Sequence, residues 1–92
     1  DILYFEKQLR KIYIISVSER YCEYRSLEEI KADLDKKKAR FLRIHKSYLV
    51  NFQYITQFGS AEVKMHDGKI LPISRSYKNE AVEQMTKLAW MR

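Results

Sequence analysis

A chain of 92 residues buries only about 60 to 65% of the surface its unfolded form exposes, enough for one compact core, which excludes a multidomain enzyme. An apolar fraction of 46%, with seven Tyr, four Phe and one Trp, excludes a disordered tail even though 33% of residues are charged. Eighteen Lys and Arg against 12 Asp and Glu leave +6, which points to an anionic partner and leaves nucleic acid and acidic membrane both open.

With two Gly and one Pro, the elements must be read from periodicity and turn chemistry. Ile2 to Gln8 and Lys11 to Val17 are short and dense in Ile, Tyr, Phe and Val, the composition of strands. A turn at Ser18-Glu19 leads into Arg20 to Arg25, where Tyr21, Glu23 and Arg25 alternate with Cys22 and Tyr24, as in a half-buried strand. The chain therefore opens as a β-meander.

At Ser26 the period changes. Leu27, Ile30 and Leu34 form the stripe of an amphipathic helix, Ser26 and Glu29 a capping-box pattern, and Glu28-Glu29 and Lys36 to Lys38 match the macrodipole at its two ends. The basic run Lys36 to Arg40 reads either as a solvated helix end or as a nucleic-acid contact. Phe41 to Asn51 reads as a short strand followed by a turn or a single helical turn. Tyr54 to Phe58 and Ala61 to His66 are expected to pair across Gly59-Ser60, and Asp67-Gly68 to close a type I′ hairpin with Lys69 to Ile73. Pro72 places that last strand at an edge. Tyr77, Ala81, Met85 and Leu88 or Ala89 then share the inner face of a C-terminal helix, with Glu83 and Lys87 paired on its outside.

Catalytic chemistry finds little support. His45 and His66 are far apart, a single cysteine completes no metal cluster, and no glycine-rich elbow accompanies Cys22, His45 or Ser47. No enzyme activity, metal or cofactor is expected, and Cys22 is read as a core residue. The chain shows no signal peptide or apolar run of about 18 residues, and one cysteine forms no internal disulfide, so a cytoplasmic setting without a membrane is expected. What remains are basic residues in connections: Arg10-Lys11, His45-Lys46-Ser47 and Ser74-Arg75. Brought together, they would offer donors to phosphates and base edges. Two further readings stay open: a module binding an acidic protein partner without base specificity, and single-stranded RNA binding on exposed tyrosines.

The segment RIHKSYLVN, residues 43–51, resembles the central motif of LytTR-type (LytR/AlgR) DNA-binding domains. DILYFE (1–6), SLEEI (26–30) and DGKILPISRSY (67–77) fit the same family in order, so the resemblance runs over nearly the whole chain. It implies a mostly-β domain of small antiparallel sheets side by side, with one mid-chain and one C-terminal helix. It also implies the output module of a bacterial transcriptional response regulator in a two-component system, with loops in the major groove of promoter DNA. A second copy on direct repeats and a receiver domain elsewhere in the parent protein belong to the same expectation. Carried over by position, Lys46 and Arg75 match base-contacting sites, and the first loop contributes Arg10, Lys11 or Ile12, with Lys11 preferred because Ile12 offers no polar contact. His45, Ser47 and Asn51 match motif residues that shape the loop or touch DNA, and Ser47 or Ser74 is placed on phosphate. Family members usually begin with a further strand, so the first sheet here is expected to lack one and to carry an unpaired edge. Lys46 stands where arginine is frequent, and lysine lacks the planar fork that reads guanine bidentately.

Overall fold

The computed structural model describes residues 2–90. Its strands are β1 (Ile2–Gln8), β2 (Lys11–Ser16), β3 (Arg20–Glu23), β4 (Phe41–His45), β5 (Tyr48–Asn51), β6 (Ile55–Phe58), β7 (Glu62–Met65) and β8 (Ile70–Pro72). The helices are α1 (Leu27–Lys36) and α2 (Lys78–Trp90), and a 3₁₀ turn spans Phe52–Tyr54. Five strands form an antiparallel sheet in the order β3-β2-β1-β5-β4, and three form a second in the order β6-β7-β8. The mostly-β architecture with a mid-chain and a C-terminal helix is the one expected.

Alternation explains the layers. Phe5, Ile12, Phe41 and Leu49 lie on one face of the large sheet and bury Leu27 and Ile30 of α1. Tyr4, Leu42, Ile44 and Val50 lie on the other and share a core with Val63, Met65 and Leu71 of the small sheet and with Ala81 and Leu88 of α2. Irregularities in strand register adjust this pattern. The slip between Ile2 and Tyr4 sends Leu3 and Tyr4 into the same core, and one between Arg43 and His45 marks the end of β4. Burial pushes the Tyr4 hydroxyl up to about 12.

The α1 capping box forms as read: Ser26 Oγ accepts from the Glu29 amide and the Glu29 carboxylate accepts from the Ser26 amide, each at 3.1 Å. In α2, Leu88 rather than Ala89 completes the buried face. Pro72 lies in β8, at an edge of the small sheet.

Several expectations are corrected. After the Lys46-Ser47 turn the chain continues as β5 and not as a helical turn, and the single helical turn comes later, at Phe52–Tyr54. β5 pairs with β1 on the side away from β2, so β1 is hydrogen-bonded on both sides. The Asp67-Gly68 hairpin is not type I′. Gly68 alone has positive φ (89°), the Gly68 amide donates to Met65 O and the Met65 amide to Lys69 O, so the loop has three residues and ends in a glycine bulge. Finally, β3 stops at Glu23, and Cys22 is exposed. β3 is the outer strand of the sheet, and neither core cluster includes a residue of 20–25, so the alternating pattern there has no apolar layer to bury against.

Candidate nucleic-acid interface

Strand pairing brings the three basic connections to one end of the large sheet. Gln8 pairs with Lys11, so Leu9 and Arg10 are the whole connection between β1 and β2. On the other side of β1, Glu6 pairs with Tyr48 and the Lys7 amide donates to Ser47 O at 2.8 Å. The first hairpin tip and the Lys46-Ser47 turn therefore stand side by side, with β2 and β5 separated by two strand spacings, about 10 Å. The third connection is tied to β4, where the Ser74 amide donates to Ile44 O at 2.9 Å. Arg10, Lys11, Lys46 and Arg75 are all exposed at this end, and none makes an ion pair among the described residues.

The β4–β5 turn contains no glycine or asparagine, and side chains hold it instead. His45 Nδ1 accepts from the Ser47 amide at 3.0 Å. Arg43, whose side chain is 10% exposed, donates from Nε to His45 O and from Nη2 to Lys46 O, both at 2.8 Å, and from Nη1 to Glu28 at 3.0 Å. Its guanidinium also lies 5.1 Å from the centre of the Tyr77 ring. One cation thus fastens the turn carrying Lys46 to the first turn of α1 and to the segment following Arg75. The Glu28 carboxyl is held below its ordinary range by its own amide and then by Arg43. Desolvation, followed by repulsion from Lys46 and Arg43, lowers the His45 imidazole, which favours the neutral form that can accept at Nδ1.

The remaining sequence candidates divide. Ser47 lies within the turn, while the Ser74 hydroxyl is buried without a hydrogen-bond partner. Asn51 sits at the far end of β5, where it donates to Ile2 O at 2.7 Å and accepts from the Gln53 amide, so the fold does not bring it to the basic connections. Ile12 is buried against α1. The basic run Lys36 to Arg40 also lies at that far end, since the Phe52 amide donates to Arg40 O and Phe41 pairs with Asn51. Sequence reasoning missed Arg43 as the residue that holds the turn. The available signal for Arg43 was an arginine alternating with Phe41 on a face that buries apolar residues, where a guanidinium needs several acceptors. Among the described residues, no group of three or more His, Cys, Asp or Glu could hold a metal, and no helix is long and apolar enough to cross a membrane.

The model of the LytTr DNA-binding domain matches residues 1–86 of this chain. The chain belongs to the LytTr DNA-binding domain family. Over 60 residues, 65% of its length, this LytTr domain is 37% identical to the transcriptional regulatory protein NatR of Bacillus subtilis, of which the match covers 25%. It also superposes, with a TM-score of 0.81 and 26% identity, on the LytTr DNA-binding domain of a putative methyl-accepting/DNA response regulator from Bacillus cereus, covering 91% of this chain and 80% of that one. The family is one of DNA-binding domains.

Proposed function

We propose that this domain reads a specific duplex sequence in the major groove as the cytoplasmic output module of a bacterial response regulator, with a receiver domain elsewhere in its parent protein and a second copy bound on a direct repeat. The observation that carries this reading is the convergence of Arg10-Lys11, Lys46 and Arg75 on one sheet end, three connections far apart in sequence. Arg75 reads guanine through its planar fork, Lys46 and Lys11 donate to base edges or phosphates, and the Ser47 hydroxyl donates to phosphate. His45 and Ser74 hold the loop backbones in place, and Asn51 supports the fold from the far end. Cations at the rim supply most of the salt-sensitive affinity.

Selection of bound duplexes from a random library, repeated with Arg75→Ala at two salt concentrations, tests the proposal. A defined motif that relaxes at one base pair in the variant supports it. Enrichment of no motif, with binding that weakens uniformly as salt rises, would favour a module for an acidic partner. Competition by single strands of the selected sequence tests the RNA-type alternative, to which only Tyr21 and Tyr24 among the tyrosines contribute strongly exposed rings.

A further inference from the structure

Leu9 stands at the tip of the first hairpin and is 93% exposed, more than any other large apolar residue described. Its φ is +56°, the left-handed region that hairpin connections ordinarily give to Gly, Asn or Asp. Neither its backbone nor its side chain is favourable in the free domain, where the side chain is left almost wholly to solvent. Strain held at an exposed position points to a contact made outside the molecule.

The surroundings define that contact. Arg10 and Lys11 follow Leu9 directly, and the Lys46 turn stands beside the hairpin, so whatever meets Leu9 also meets several cations. The partner is anionic overall yet offers a small apolar group. Duplex DNA meets both conditions, since the C5-methyl of thymine is the apolar group in the major groove. Gln8, Leu9, Arg10, Lys11 and Tyr13 line an open hollow in which a methyl group can sit.

We propose that Leu9 is a specificity-determining residue that packs on the C5-methyl of one thymine in the bound site. This rests on the DNA-reading role proposed above. The test uses the duplex selected by the unmodified domain, with each thymine in turn replaced by deoxyuridine, which removes only the methyl. The unmodified domain should lose about fourfold in affinity at one thymine, the effect of withdrawing one buried methyl-sized group. Leu9→Ala, which keeps the same backbone preference, should bind the thymine duplex more weakly and show no loss at that position. Leu9→Asn should raise the thermal midpoint by relieving the backbone while also abolishing the thymine preference. An identical thymine-to-uracil pattern in the unmodified domain and Leu9→Ala, or an equal loss by Leu9→Ala on selected and scrambled duplexes, would overturn the assignment. Failure to select any motif defeats the DNA-reading role itself, and is thereby distinguished from a motif that Leu9 does not influence.

Discussion

Arg43 occupies a position whose neighbours in the alternation are apolar, yet it is the residue on which the interface turn depends. Its guanidinium satisfies two carbonyls of the turn and one carboxylate of α1. Truncation to alanine leaves those acceptors unpaired and should destabilise the domain by about 1–3 kcal/mol, read from denaturant melts. Arg43→Lys keeps the charge but replaces three separate nitrogens in a planar fork with one ammonium that cannot span the same acceptors. It should therefore weaken DNA binding more than it lowers the melting midpoint, because the turn carrying Lys46 loosens. His45 adds a pH dependence. Its imidazole is lowered from 6.5, so the unfolded chain binds the proton more readily than the folded one. The stability this provides is complete above pH 6.5 and is lost as pH falls through the window between that value and the lowered one. Melts across pH should show the loss setting in as pH falls below 6.5, and His45→Asn should remove it.

At the scale of elements, the contrast between α1 and the β4–β5 hairpin shows what could be read in advance. Every stop and start of α1 is written in local chemistry: a serine cap, acidic residues at one end and lysines at the other. Ser26→Ala should accordingly cost about 1 kcal/mol in a thermal or denaturant melt. The hairpin carries no such marks. Its turn is closed by the side chains of His45 and Arg43 and not by a glycine or asparagine, so β5 is hidden in FLRIHKSYLVN. The same limit applies at Cys22. Alternation reports that two faces differ, but whether anything covers them depends on where the strand lies in the sheet, and β3 lies at its edge.

For the whole molecule, charge is divided between two ends. Arg10, Lys11, Lys46 and Arg75 gather at one, and Lys36 to Arg40 lie at the other beside the start of β4. Lys37, which pairs with Asp33 at 3.3 Å, should be nearly silent: Lys37→Ala is expected to leave affinity and its salt dependence unchanged. Lys46→Ala should weaken binding and, if its contact is to phosphate, reduce the slope of log affinity against log salt by about 1. A salt titration of both variants decides this, and a greater effect of Lys37 would place the interface at the wrong end. The basic residues themselves were legible in the sequence. Their meeting was not, because it is made by the pairing of β1 with β5 and by the Ser74 amide on Ile44, contacts between segments far apart in the chain.

The central place of β1 also bears on synthesis. As the chain leaves the ribosome, β2 and β3 can fold back on β1 at once, but its other side must wait for β5, which is made only after α1 and β4. At about 5–20 residues per second, a row of unpaired amides and carbonyls along Tyr4 to Glu6 stays open for some seconds. During that interval a nascent domain can capture a strand from its neighbour on the same message, a hazard that ends when Tyr48 to Val50 arrive and close the sheet.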